Sequence, residues 1–157
     1  GFRASLVAVP ITYGLAVLVL PFNNKLVLLD LTGAELKAVL DETLGAMPDS
    51  SAGLLYPSRG TSYTIDVSRT AGDRVVGLKV GGAPVQLDKT YRVTLSSFIA
   101  GGGDNHALVK NSQRYRYDTG NLDIDAFVSF LKAKDPISAP LEGRVVVVGL
   151  APAAKPQ

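Results

Sequence analysis

The segment that most constrains this chain is Tyr91–Asn105, YRVTLSSFIAGGGDN. Val93 and Leu95 alternate with Arg92 and Thr94, the period of two that lays one face of a strand on a core and leaves the other in water. The run then breaks into Gly101, Gly102 and Gly103, which free the backbone for positive φ and let another molecule approach it closely. The segment reads as a strand that delivers Phe98 to a sharp turn, followed by an open loop ending in Asp104 and Asn105. Glycine runs alone are weak evidence, because most are ordinary turns. The rest of the chain decides what the loop is for.

A chain of 157 residues suits one domain with a real core, and 46% hydrophobic content marks it as globular. Sixteen Lys and Arg stand against fourteen Asp and Glu, with no basic run interleaved with aromatics, so a nucleic-acid polymer is not expected as a partner. Cysteine is absent, which removes disulfide and thiolate chemistry and fits either redox compartment. The longest apolar run, Leu15–Leu20, is far too short to cross a bilayer, and the first residues lack the features of a leader. No membrane or targeting segment is therefore expected. Phe2 and Arg3 already read as structured, so the chain is expected to be a piece of something longer.

Residues 11–20 are apolar without clean periodicity and end at Pro21, which leaves a short buried helix, a turn and a strand all open. Lys25–Leu31 reads as a strand. Thr32-Gly-Ala-Glu35 is a capping box, and Leu36, Val39, Leu40 and Leu44 form one helical face up to Gly45. Residues 47–60 read as a loop, with a short strand at Leu54–Tyr56. Ser62–Val67, Val75–Val80 and Tyr91–Phe98 read as three strands of a mainly antiparallel sheet, with a further strand at Gln113–Tyr117. A second helix is expected over Leu122–Lys134, with Asp123 and Asp125 favouring its N-terminal dipole. Arg144–Val148 is apolar enough for a closing strand buried on both faces. The fold class is α+β, with mixed, mainly antiparallel sheets flanked by helices; residues 1–149 form one domain and 150–157 a flexible tail.

Few residues offer catalysis. A dinuclear metal site needs several converging His and carboxylate ligands, and this chain has one histidine, His106. Its place just past a glycine loop predicts a solvent-exposed ring. Binding chemistry is better supplied. Phe22 lies between Pro21 and the turn-prone Asn23-Asn24, as Phe98 lies at the edge of the glycine loop. Two aromatic rings at loop edges, with Arg3, Asn24 and Asp104 available for hydrogen bonds, are suited to clamp a flat heterocycle and read an attached sugar.

Several short motifs, in order along nearly the whole chain, resemble the C-terminal domain of the 5′-nucleotidase family of metallophosphoesterases. Gly1-Phe2-Arg3 resembles the end of its Asn-Gly-Gly-Gly-Ile-Arg segment, Ile11–Asn24 its ITYGD…LPFGN segment, and Thr32–Leu40 its TGxxLxxxL helix. Asp66–Thr90, Tyr91–Asp104 and Gly143-Arg144-Val145 resemble its D-x-S-R…G-x-R-V stretch, its Y-x-V…F-x-A-x-G-G-D motif and its terminal strand. The resemblance implies that Phe22 and Phe98 stack on the two faces of a base, that Arg3 and Asn24 contribute contacts, and that Asp104 binds ribose hydroxyls. It further implies a nucleotide or nucleoside ligand and a secreted, periplasmic or cell-surface setting. The divalent metal pair and catalytic His-Asp pair would lie in an N-terminal metallophosphoesterase domain outside this sequence, so this chain alone holds no catalytic residue and no cofactor. The sequence departs from the pattern at Asn23 and Asn105, which replace glycines; asparagine tolerates positive φ next best, so the turns are expected to survive. Leu15 stands where the family has aspartate, and the glycines before Arg3 are missing. The alternatives are a cyclic-nucleotide phosphodiesterase, a thiosulfate-processing relative, or a non-catalytic interaction module whose Phe22 and Phe98 are buried or far apart.

Overall fold

A computed structural model describes residues 3–4, 10–134, 136–138 and 140–150. Helix α1, Tyr13–Val19, resolves the ambiguity of residues 11–20: Thr12 caps it, its Oγ1 accepting from the Leu15 N–H at 3.3 Å. Strand β1, Lys25–Thr32, buries Val27, Leu29 and Leu31 on one face. It runs straight into helix α2, Gly33–Asp41, because Thr32 ends the one and caps the other. The Thr32 Oγ1 accepts from the Glu35 N–H at 3.2 Å, and Glu35 Oε2 accepts from the Thr32 N–H at 2.7 Å. Gly33 is required at this junction, since a Cβ there would lie 2.2 Å from the Gln86 carbonyl oxygen. Helix α2 ends before the expected Gly45, and a 3-10 turn at Leu44–Ala46 follows.

The chain continues through β2 (Thr61–Asp66), β3 (Val75–Val80), the short β4 (Ala83–Pro84) and β5 (Thr90–Ser96). Next come α3 (Ser97–Ala100), a 3-10 turn at Gly103–Asn105, α4 (Ala107–Asn111), β6 (Arg116–Leu122), α5 (Asp123–Ala133) and β7 (Val145–Val148). Two sheets result, ordered β5-β1-β6 and β4-β3-β2-β7. All pairs are antiparallel except β2 with β7, which is parallel.

The three strands expected to share a sheet do not. After β4 the chain leaves the four-stranded sheet, crosses the start of α2, where the Gly33 and Ala34 N–H groups donate to the Lys89 and Leu87 carbonyls, and joins the other sheet as β5. Leu54–Tyr56 is not a strand, and the sixth strand begins three residues later than expected. Strand β7 is half-buried, not enclosed: Val145 and Val147 pack on the core while Val146 and Val148 face outward. A four-valine run carries no alternation, so sequence does not reveal that one face is wet. The expected tail, 150–157, lies outside the described residues except for Leu150.

Helix α2 serves both sheets. Val39 belongs to the cluster of Val27, Leu29 and Leu31, while Leu40 and Leu44 belong to that of Tyr63, Ile65 and Val75; Leu36 touches both. Its last residue, the buried Asp41, accepts from the Arg74 and Val75 N–H groups at 2.8 and 2.7 Å and from Lys37 Nζ at 2.7 Å. The Arg74 guanidinium in turn donates to the Leu44, Gly45 and Met47 carbonyls of the 3-10 turn that follows the helix.

Candidate functional site

The five candidate residues come from three stretches of the chain, Arg3, Phe22 with Asn24, and Phe98 with Asp104, and register shows which meet. Leu26 of β1 is opposite Ser96 of β5, and Lys25 is opposite Leu122 of β6. The approach to β1, the exit of β5 and the start of α5 therefore converge at one end of the three-stranded sheet. Phe22 lies on the first, Phe98 on the second, and Asn24 bridges to the third. The Lys25 N–H donates to Ser97 Oγ at 3.1 Å, tying the Phe22 and Phe98 segments together directly.

Each ring is presented by local chemistry. Between α1 and β1 the chain reverses at Asn23, whose φ of 51° is the left-handed value expected of an asparagine replacing glycine. The Phe22 ring is left 51% exposed, and the Arg3 guanidinium lies over it with its carbon 5.0 Å from the ring centroid. Arg3 is itself fixed by its N–H to the Val19 carbonyl at 3.0 Å. Phe98 sits in the single turn α3, capped by Ser96, not at a strand end as expected, and is 48% exposed. Of the three glycines only Gly102 takes positive φ, at 92°. Gly103 serves differently: a Cβ there would lie 2.5 Å from ring carbons of Phe98, so the ring rests where only glycine leaves room.

Asp104 and Asn105 both take left-handed φ, 52° and 67°. Asp104 is exposed, and no hydrogen-bond partner of its carboxylate is found among the described residues. Asn24 is less free. Its Nδ2 donates to Asp123 Oδ2 at 3.3 Å, and its carbonyl accepts from the Asp123 N–H at 2.8 Å, so it holds the start of α5. Asp123 thus does more than favour a helix dipole, and its second carboxylate oxygen is buried without a partner among the described residues. Nearby, Lys25 pairs with Asp118 at 3.2 Å; the Gly120 N–H, with Lys25, holds the Asp118 carboxyl below its usual range.

His106 contradicts its expected exposure: it is 0% exposed, with Nδ1 3.2 Å from Glu42 Oε1 and Nε2 2.9 Å from the Gly53 carbonyl oxygen. The preceding loop is open, but His106 opens α4 three residues before the buried Val109, and that spacing was the available signal. A concavity of about 510 Å³ lined by Leu31, Val39, Leu108 and Arg114 lies at the opposite end of β1 and contains none of the five candidates. Phe22, Phe98 and Asp104 are exposed and do not line it.

Residues 1–111 match the family model described as 5′-nucleotidase, C-terminal domain. The chain belongs to this family. It is 33% identical over 154 residues to a 5′-nucleotidase-related protein of Glossina morsitans morsitans, covering 93% of this chain and 28% of that protein. It is likewise 33% identical over 136 residues to a snake venom 5′-nucleotidase of Gloydius brevicauda, covering 82% of this chain and 23% of that one. Among solved structures, a 5′-nucleotidase precursor from Thermus thermophilus aligns with a TM-score of 0.88 and 40% identity over 96% of this chain and 30% of that one. The α+β fold is that of 5′-nucleotidase C-terminal domains. The chain spans about a quarter of the length of the curated relatives it matches.

Proposed function

We propose that this chain is the nucleotide- or nucleoside-binding part of a 5′-nucleotidase-type phosphoric monoester hydrolase. The base stacks between Phe22 and Phe98, Asp104 accepts hydrogen bonds from the ribose hydroxyls, and Arg3 and Asn24 complete the site. The observation that carries this reading is that two phenylalanines 76 positions apart are both half-exposed on segments that meet at one end of the β5-β1-β6 sheet, with the exposed Asp104 next in sequence to Gly103, on which the Phe98 ring rests. Exposed rings of that size offer faces on which a planar base can stack.

Each residue's part follows from its chemistry. Stacking tolerates different bases because every base has a π-face. Arg3 covers one face of Phe22, which leaves the other for the base and pre-orients the ring. A carboxylate only accepts, so Asp104 suits a vicinal diol that donates twice. Asn24 acts through the backbone, keeping Asn23 in its left-handed turn and thereby Phe22 in place.

Among the described residues no three His, Cys, Asp or Glu side chains converge as metal ligands. The resemblance implies a divalent metal pair in an N-terminal metallophosphoesterase domain outside this sequence, and this proposal assigns hydrolysis of the phosphate ester to that domain. A secreted, periplasmic or cell-surface location goes with it, supported by the venom and precursor relatives. No described helix is long and apolar enough to cross a membrane.

The test is calorimetric titration of adenosine against wild type and Phe98→Ala. Loss of one stacking partner should weaken binding by about 1–3 kcal/mol. Unchanged affinity in a folded Phe98→Ala protein refutes the clamp.

A further inference from the structure

We infer that His106 is a positioning residue for Asp104, holding the ribose-reading carboxylate in a conformation that its own backbone disfavours. The inference rests on the reading of Asp104 as the ribose acceptor and adds a residue that does not touch the ligand. Asp104 and Asn105 are consecutive non-glycine residues at φ 52° and 67°. Asparagine and aspartate tolerate left-handed backbone better than other non-glycine residues, but as single residues, and two in succession persist where the flanks fix them. On the N-terminal flank Gly103 is pinned beneath the Phe98 ring. On the C-terminal flank the anchor is the buried His106.

The ring bridges two segments distant in sequence. Nδ1 faces Glu42 Oε1 at the end of α2, and Nε2 faces the Gly53 carbonyl in the 47–60 loop. A carboxylate and a carbonyl can only accept, and each lies within hydrogen-bond reach of one ring nitrogen, the tautomer deciding which of them takes the ring N–H. Both acceptors are themselves held. Glu42 Oε2 accepts from the Leu108 N–H at 3.1 Å, and the Gly53 carbonyl also accepts from Thr43 Oγ1 at 3.1 Å. Gly53 lies so close to the loop that a Cβ on it would sit 2.9 Å from the Asp104 carbonyl oxygen. The histidine therefore clamps α2 and the 47–60 loop onto the segment that carries Asp104, and Gly53 backs the main chain of Asp104. An apolar residue of similar size would fill the space and make neither bond.

The experiment compares adenosine with 2′,3′-dideoxyadenosine as ligands of the full-length protein, by calorimetry. Wild type should prefer adenosine by about tenfold or more, since dideoxyadenosine lacks both hydroxyls and a single charge-assisted hydrogen bond sustains about tenfold. His106→Phe should lose most of that preference while binding dideoxyadenosine as wild type does, and the loss should not add to that of Asp104→Ala in a double-mutant cycle. A folded His106→Phe protein with the preference intact, or with an effect fully additive to Asp104→Ala, overturns the positioning role. If His106→Phe does not fold, Glu42→Gln carries the test: a preference reduced by about twofold or more supports the inference, and an unchanged one overturns it. A wild type that does not distinguish the two ligands overturns the ribose reading itself, and the inference with it.

Discussion

Replacing Asp41 by alanine should be among the most damaging single changes in the chain. Its carboxylate is 2% exposed and takes three hydrogen bonds: two from the backbone N–H groups that start β3, and one from Lys37. Not all three are lost outright. Lys37 is 30% exposed and also reaches Asp73 at 3.0 Å, so its charge keeps a partner and water. The Val75 N–H has no such recourse, since Val75 is 0% exposed. Two N–H groups left without an acceptor cost about 1–3 kcal/mol each and the lost bond to Lys37 adds to that, so about 3–5 kcal/mol is expected here. At about 2–4 °C per kcal/mol for a chain of this size, Tm should fall by about 6–20 °C. Asp41→Asn keeps an oxygen for the two N–H groups and should cost about 1–2 kcal/mol, chiefly the loss of Lys37. Urea unfolding followed by circular dichroism, with the m-value checked for constancy, measures both. An Asp41→Ala protein within about 1 kcal/mol of wild type would falsify the view that this carboxylate joins α2 to β3.

Two further outcomes are expected. Gly103→Ala places a Cβ about 1 Å inside normal contact with the Phe98 ring, which must swing away; adenosine affinity should approach that of Phe98→Ala with little change in Tm, and wild-type affinity would show that the ring does not rest there. The protein should be acid-labile. Arg92 holds the Asp30 carboxyl below its ordinary value, the Thr32 N–H does the same for Glu35, and Arg69 with Lys37 for Asp73. A depressed folded-state value means stability fully present above the ordinary values of 3.8 and 4.5 and lost as pH falls through the depressed ones. Tm should hold between about pH 7 and 5 and drop toward about pH 3, and a Tm independent of pH over that range would contradict these pairings.

Local signals are the readable ones. The capping box at Thr32 and Glu35, the alternation around Val93 and the acidic start of α5 each state their structure within a few residues, and each forms as expected. The left-handed turns at Asn23 and Asn105 are legible because few residues tolerate that backbone. Partition of strands between sheets is not, because it depends on where residues 83–89 carry the chain, and nothing in their pattern says that they cross α2. His106 misleads for a related reason: its burial comes from Glu42 and Gly53, 64 and 53 positions away. The candidate site is visible as a set of residue types, while the seat that Gly103 provides for a ring is a property of packing alone.

The parallel pairing of β7 with β2 bears on where a recombinant fragment should stop. The family match ends at residue 111, yet β6 and β7 lie beyond it. Expression halted there would strip one neighbour from β1 and one from β2, leaving two apolar ladders open to intermolecular strand addition. Because Val145–Val148 zips onto residues 63–66, that seam can close only once residue 148 has emerged from the ribosome. Soluble production should therefore depend on keeping the last strand, however little it contributes to ligand contact.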